Sequence, residues 1–359
     1  MFTTRHLRTA LGALCALLPL AAPAAASADP ARDVKVMTRN LYLGADIIPL
    51  ATAANRDEFE QAAQQRFQTV LKNDYPTRAK ALAAEVAKVK PSLIGVQEAA
   101  TWTRGADGVK DGSATPATQP VYDSIALLLA ELKKRGETYR VAATRTWFDF
   151  EAPTAAGYDV RLTQSDVVLV RAAKGERIKV AKSFKGGYTK TLVVPTQVGN
   201  ADEKRGWVGV DAKLGRRKVR FVSTHLEAYS ATIAATQMQE LQRKVFKSKK
   251  TQSILVGDFN SDPKDPAASD VEGMDQGSDA YIGALDAGFA NPLRRRLTCC
   301  FNEDLTTTTD PLKSWIDQVI ARPKLKAVKS GIVGARLSDR AGGLYPSDHA
   351  GIWATLRLK

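Results

Sequence analysis

Two histidines stand at the edges of apolar runs in this sequence. His225 closes the run FVSTHL, and His349 lies in PSDHAGI. A single histidine is more often a structural residue than a catalyst, so neither carries an argument alone. Acidic and amide residues at comparable positions in other runs make a functional role the stronger interpretation for both.

The run SILVGDFN at 253–260 leads an apolar strand directly into Asp258 and Asn260. Because strand side chains alternate, these two residues are expected to point the same way past Phe259. A carboxylate can orient a water nucleophile, while an amide can hold a phosphoryl oxygen. The alternative is a turn with capping side chains. The position after a buried strand favours catalysis.

Glu98 ends a similar apolar run, LIGVQEA, and Asn40 follows VKVMTR. An unpaired carboxylate at such a position is unfavourable, and a divalent cation would relieve it. Hard cations take carboxylate, amide and water oxygens, which Glu98, Asn40 and Asp348 can offer. We therefore predict a Mg²⁺ site, with Mn²⁺ or Ca²⁺ as alternatives; taken alone, Asn40 would be interpreted as a turn residue.

The elements that must position these residues are short strands and amphipathic helices. Apolar runs predict strands at 34–38, 93–97, 166–170, 207–211, 218–223, 253–257, 316–321 and 351–357. Apolar spacing of three and four residues predicts helices at 56–72, 76–89, 121–135 and 230–247. Strands outnumber helices about two to one, which favours two packed sheets with helices on their outer faces.

Two stretches have the composition of long loops that could rim a site, 103–120 and 261–279. The second is rich in acidic residues and prolines: Asp262, Pro263, Asp265, Pro266, Asp270, Glu272 and Asp275. Its acids lack EF-hand spacing, so a solvated loop is favoured over a calcium site.

The motifs occur in the order found in the endonuclease/exonuclease/phosphatase superfamily, which the chain resembles from about residue 34 to 357. They are TRN at 38–40, GVQE at 95–98, STHL at 223–226, GDFN at 257–260, ID at 316–317 and SDH at 347–349. The superfamily includes pancreatic-type deoxyribonucleases, bacterial neutral sphingomyelinases and inositol-phosphate 5-phosphatases. Among these motifs, GDFN and SDH are the ones specific to the superfamily.

The resemblance implies an α/β fold: a four-layer sandwich of two packed, mainly antiparallel β-sheets flanked by helices. It also implies the role of each site residue. Glu98 resembles the principal metal ligand, with Asn40 and Asp348 close to the metal. Asp258 and Asn260 would orient the attacking water and the phosphate. His349 paired with Asp317 resembles the acid/base dyad, and His225 the residue that stabilises the transition state.

Where the family often has Arg before the dyad carboxylate, this chain has Trp315-Ile316. Trp315 could be a core residue, the favoured interpretation, or could stack on a base or head group. Cys299 and Cys300 could form a vicinal disulfide or remain thiols. With no histidine nearby in sequence they are interpreted as structural rather than metal-binding.

The N-terminus has the features of a secretory signal: basic Arg5 and Arg8, an apolar run over 10–26, and Ala26-Ser27-Ala28. We expect a signal peptide at 1–28, cleavage after Ala28, export, and one domain over 29–359 without a transmembrane segment. Loss of Arg5 and Arg8 would reduce the net charge of +14 to +12. That charge favours polyanionic partners, although it could equally serve solubility.

Three functions compete. Net charge favours the first, a nuclease that hydrolyses phosphodiesters of nucleic acid. The second is a sphingomyelinase or phospholipase C acting at a lipid surface, which needs exposed aromatic residues; Trp102 and segment 145–150 are the candidates. The third is a non-catalytic polyanion-binding module, which would be expected to lack charged site residues, whereas here the set is intact.

Overall fold

The fold was obtained as a computed structural model that describes Met1 and residues 32–110, 116–248, 250–265, 277–309 and 311–359. The expected signal peptide, apart from Met1, lies outside the described residues, and its cleavage stays a prediction. Pro266, Asp270, Glu272 and Asp275 of the acidic stretch also lie outside the described residues. In the described part of the chain, no helix is both long and apolar enough to span a bilayer.

The described strands form two large sheets and a hairpin. The seven-stranded sheet runs β13-β14-β1-β2-β5-β4, with β3 on β2, and the five-stranded sheet runs β12-β11-β10-β9-β6. The seven-stranded sheet consists of β1 (Asp33–Asn40), β2 (Leu93–Ala106), β3 (Gln119–Asp123), β4 (Tyr139–Pro153), β5 (Tyr158–Arg171), β13 (Lys326–Val333) and β14 (Gly351–Arg357). The five-stranded sheet consists of β6 (Ile178–Gly187), β9 (Gly206–Leu214), β10 (Arg217–His225), β11 (Ser253–Asp258) and β12 (Asp317–Arg322), and the hairpin of β7 (Leu192–Thr196) and β8 (Gly199–Glu203).

Helices cover the outer face of each sheet. The helices are α1 (Ile48–Thr52), α2 (Arg56–Lys72), α3 (Tyr75–Val89), α4 (Ser124–Lys134), α5 (Ala231–Val245) and α6 (Asp279–Asp286). Helices α2 to α4 share a core with the seven-stranded sheet, and α5 and α6 share one with the five-stranded sheet.

Side-chain alternation along β11 shows how the layers are joined. Ile254 and Val256 belong to the core between the sheets, whereas Leu255 packs with α5 residues such as Leu241. Both faces of this strand are buried, so its sequence is continuously apolar. The fold class expected from the sequence, a four-layer sandwich of two mainly antiparallel sheets flanked by helices, is confirmed.

Several predicted boundaries were wrong. The predicted loop at 103–120 begins inside β2 and ends inside β3, and the predicted helix at 121–135 begins only at Ser124, after β3. Strands β4, β6, β7, β8 and β13 were not predicted. They carry many exposed polar residues or lie at sheet edges, so they lack the continuous apolar signal of buried strands.

Candidate active site

The predicted site residues meet at one end of the sandwich. Strands β1, β10 and β11 end at Asn40, His225 and Asp258, and β12 begins at Asp317. Asp258 is the register partner of both His225 and Asp317. Asp348 and His349 lie in the short segment before β14. A cavity of about 300 Å³ at this end is lined by Glu98, His225, Asp258, Asn260, Asp348 and His349.

Glu98 does not end a strand as expected, because β2 continues past it to Ala106. The pairing of β2 with β5 is interrupted between Val96 and Ala99, and Glu98 has a φ of 53°. This bulge turns the Glu98 carboxylate toward the β1 end, where it accepts hydrogen bonds from Asn40 Nδ2 at 2.8 Å and Leu43 N at 2.9 Å.

Asn40 links two acidic residues. Its Nδ2 also donates to Asp258 Oδ2 at 3.1 Å, while its Oδ1 accepts from Tyr42 N at 2.9 Å. In these contacts Asn40 positions the carboxylates of Glu98 and Asp258. Its amide oxygen is engaged by Tyr42 N, and its predicted place beside the metal stays a prediction.

The expected strand alternation through Asn260 does not occur, because β11 ends at Asp258 and Asn260 has a φ of 45°. Asn260 N donates to Asp258 Oδ1 at 3.0 Å, and its Nδ2 donates to Leu226 O at 3.0 Å. Asn260 nevertheless lines the cavity, so a turn rather than an extended strand presents it.

His349 forms a dyad with Asp317. The distance from His349 Nδ1 to Asp317 Oδ2 is 2.8 Å, and His349 Nε2 lies 3.7 Å from Asp258 Oδ2. Burial by itself lowers the pKa of His349, but the carboxylates of Asp317, Asp348 and Asp258 together raise it well above its ordinary value. The dyad therefore favours a protonated imidazole.

His225 differs from the expected cationic residue. Its pKa is lowered well below the ordinary value by burial, then by Arg205 and His349. The ring packs edge-on against Trp147 with centroids 5.5 Å apart, and its Nε2 lies 3.8 Å from Asp258 Oδ2. A neutral His225 can still donate one hydrogen bond to a phosphoryl oxygen.

The carboxylates show that a cation fits this site. Burial, then Asp348, raises the pKa of Glu98 to about 7, and burial raises that of Asp258 to about 6. Ligand atoms of Glu98, His225 and Asp258 lie within 4.8 Å of one another. A divalent cation would offset the repulsion among these oxygens, so the donor set is suited to Mg²⁺.

Cys300 was missed by sequence reasoning. The pair Cys299–Cys300 is a disulfide, as one of the two alternatives proposed, but it also lines the catalytic cavity. Cys300 Sγ lies 3.9 Å from His349 Nε2. Cys299 and Cys300 were interpreted as purely structural because no histidine is near them in the sequence. That interpretation was therefore incomplete. The 48 residues between Cys300 and His349 hide this proximity in the sequence.

Other expectations concern aromatic and acidic residues. Trp315 is buried beside Tyr281, which confirms the favoured core interpretation. Asp262 is buried and accepts from Arg295 and Trp315 N, so at this residue the stretch is not a solvated loop. Trp102 and Phe148 are buried in β2 and β4, so they are not the exposed docking aromatics that a lipid-surface enzyme would need.

Two motif glycines allow close backbone approach at the site. A Cβ on Gly95 would lie 2.6 Å from Ser223 Oγ in the facing sheet. Gly257 has a φ of 143°, and a Cβ there would lie 1.9 Å from Thr224 O. The glycines of GVQE and GDFN are thus required by packing. Next to Gly95, Gln97 Nε2 donates to Ser223 Oγ at 2.7 Å and joins the two sheets below the cavity.

A buried ion pair supports the segment that carries the dyad histidine. Arg39 Nε lies 3.0 Å from Glu85 Oε2, with the two side chains 2% and 6% exposed. Arg39 Nη1 also donates to His349 O. The pair therefore connects β1, α3 and the residue before β14. Nothing in the sequence pattern marks Glu85, which lies on a helix otherwise recognised by its apolar face.

Changing Arg39 to Met is expected to lower the free energy of unfolding by about 3–5 kcal/mol, because it leaves the Glu85 carboxylate buried without its partner. Urea denaturation followed by circular dichroism measures this. The matched control is Arg161→Met, which breaks a more exposed pair with Asp149 and should change stability by about 1 kcal/mol or less. Equal effects of the two changes would contradict the buried-pair argument.

The chain was compared with known proteins. The sequence profile of the Endonuclease/Exonuclease/phosphatase family matches residues 67–349. No significant match was found among curated proteins. Similar solved structures include a family protein from Bacteroides thetaiotaomicron (15% identity, TM-score 0.54, 91% of this chain and 98% of that one). A family protein from Leptotrichia buccalis C-1013-b has 15% identity and a TM-score of 0.52, over 90% and 100% of the two chains. D. rerio TDP2, complexed with a single-strand DNA product, has 15% identity and a TM-score of 0.50, over 90% and 99%.

Proposed function

Because the chain belongs to the endonuclease/exonuclease/phosphatase family, we propose that it is a divalent-metal-dependent phosphodiesterase in which water attacks phosphorus in line with the leaving oxygen. The observation that supports this most directly is the convergence of three carboxylates and a His–Asp dyad in one cavity. The carboxylates belong to Glu98, Asp258 and Asp348, and the dyad is His349 with Asp317. Such a set is suited to phosphoryl chemistry.

In this proposal Glu98 and Asp348 hold the cation, with Asn40 beside it. When bound, the cation neutralises charge on the non-bridging phosphoryl oxygens. Asp258, held by Asn40 and the backbone of Asn260, accepts a hydrogen bond from the attacking water, orients it and takes its proton as the oxygen bonds to phosphorus. Asn260 was predicted to contact the phosphate, although in the structure its amide nitrogen is engaged by Leu226 O.

The two histidines have different tasks in this mechanism. His349 is protonated because three carboxylates surround it, so it can donate a proton as the leaving oxygen departs. His225 is neutral and donates a hydrogen bond to a phosphoryl oxygen. Asp317 accepts a hydrogen bond from His349 Nδ1–H and so holds the ring in place, with Nε2–H of the protonated imidazole left for the cavity.

Two substrate classes are candidates. Nucleic acid is supported by the basic net charge and by the DNA product bound to D. rerio TDP2, a protein of similar fold. A lipid phosphodiester is favoured by the lining of the catalytic cavity. Arg205 is the single Lys or Arg among its described lining residues, and it pairs with Glu203 and Glu227. An extended polyanion would find no free cation there.

A substrate panel tests the proposal. Plasmid DNA, RNA, sphingomyelin vesicles, inositol phosphates and a chromogenic phosphodiester are incubated with the purified protein and Mg²⁺. Phosphodiester hydrolysis is expected in at least one member of the panel and should be lost in Asp258→Asn. Failure to hydrolyse any of them, with Mg²⁺ or Mn²⁺ present, would refute the enzymatic proposal, whereas DNA nicking without lipid cleavage would favour the nuclease.

We also propose that the enzyme is exported. The basis is the sequence of residues 1–28, with its basic start, apolar run and small residues before the expected cleavage point. Sequencing the amino terminus of protein recovered from the culture medium tests this. A first residue other than Asp29 would place cleavage elsewhere, and retention in the cells would contradict export.

A further inference from the structure

A second cavity, of about 350 Å³, lies next to the catalytic cavity. It is enclosed by the β7–β8 hairpin, by α1 and α2, and by strands β2, β4 and β5. Six of its lining residues are Trp102, Phe148, Phe150, Leu162, Leu192 and Val194. Its volume falls within the range of ligand pockets and far exceeds the voids that packed cores tolerate.

The two cavities adjoin each other. Ile47, Glu203 and Tyr229 line both of them. Tyr229 is 38% exposed and Ile48, at the outer wall, is 42% exposed, so apolar surface also reaches solvent here. A molecule whose phosphate occupies the catalytic cavity could therefore extend directly into the apolar one.

The chemistry of the wall restricts what that extension can be. The charged residues of the wall, Arg66 and Glu203, are held in ion pairs with Glu303 and Arg205. Each of these charges is therefore already balanced by an opposite charge. Sugars and further phosphates would lose their hydration without replacement hydrogen bonds, whereas methylene groups gain free energy from burial.

Resting on the phosphodiesterase proposal, we propose that this apolar cavity binds an alkyl chain of the substrate, so that the enzyme acts on lipid phosphodiesters. The aromatic residues that the sequence suggested for membrane docking then have a different task. Trp102, Phe148 and Phe150 are inside, where they contact the chain, rather than outside, where they would contact the bilayer. The enzyme extracts the chain from its surroundings into a preformed pocket.

A series of alkyl 4-nitrophenyl phosphodiesters, methyl, butyl and octyl, tests this below their micelle-forming concentrations. The ratio kcat/KM should rise with chain length, by up to about fourfold for each methylene that becomes buried. Equal kcat/KM for methyl and octyl esters would overturn the proposal while leaving the phosphodiesterase function intact.

The hairpin offers a matched pair of variants. Val194 lines the cavity, whereas its neighbour Val193 points outward and is 47% exposed. Val194→Asp should reduce the octyl-to-methyl ratio of kcat/KM about tenfold or more, and Val193→Asp should leave it within about twofold. If Val194→Asp does not fold, Val194→Trp fills the cavity and should reduce the ratio in the same way.

Binding separates the failure of this proposal from failure of the proposed function. If no ester is hydrolysed, the phosphodiesterase function is wrong, and calorimetry with dodecylphosphonate, which cannot be hydrolysed, still tests the cavity. Tighter binding to wild type and Val193→Asp than to the Val194 variants supports an alkyl-chain site. Identical or absent binding in all four proteins refutes it.

Discussion

Chelation of divalent cations with EDTA is expected to abolish phosphodiester hydrolysis, and Mg²⁺ or Mn²⁺ added in excess should restore it. The reason is that Glu98, Asp258 and Asp348 are buried together in one cavity: burial, then Asp348, raises the pKa of Glu98 to about 7, and burial, then Asp317, raises that of Asp258 to about 6. Without a cation these groups cannot hold a dianionic transition state. Initial rates with the chromogenic phosphodiester measure the effect.

The control is a variant that lacks the principal ligand. Mg²⁺ should raise the melting temperature of the wild-type protein, because the native state binds the ion, and this rise should disappear in Glu98→Gln. Glu131→Gln, at a partly buried helical residue away from the cavity, should retain it. Activity that is indifferent to EDTA, or an equal thermal response of the two variants, would contradict the metal site.

Changing His349 to Ala is expected to lower kcat about 10²–10⁴-fold with a retained fold, because the leaving oxygen loses its proton donor. The side chain lies within reach of Asp317, Asp258 and the cavity, so its removal affects the transition state more than substrate binding. Steady-state kinetics gives kcat and KM separately, and circular dichroism checks the fold. A decrease smaller than about threefold would remove His349 from this role.

Asp317→Asn tests the dyad by a different readout. The neighbouring carboxylates raise the pKa of His349 against burial, and Asp317 is the largest contributor among them. Removing its charge therefore lowers that pKa. Since protonated His349 is the acid, activity is lost as pH rises through its pKa, and in Asp317→Asn this loss should occur at lower pH. An unchanged basic limb of the pH profile of kcat would show that Asp317 acts only on folding.

Much of the catalytic cavity was predictable because its residues stand at strand ends, and strand ends are visible as the point where an apolar run meets a polar residue. His225, Asp258 and Asp317 are register partners, so the order of the strands brings them together. The bulge at Glu98 was not predictable, since it depends on how β2 pairs with β5. The same holds for the turn that presents Asn260.

The sequence by itself determined the family, the four-layer fold and most of the polar residues that line the cavity, since these are encoded in local apolar patterns and ordered motifs. Only the tertiary structure decided their environment. The lowered pKa of His225 depends on its burial and then on Arg205, and the contact of His349 with Cys300 joins distant segments. The apolar cavity likewise exists because separate strands and a hairpin converge. Burial and electrostatic fields arise from residues far apart in the chain, so no local pattern contains them.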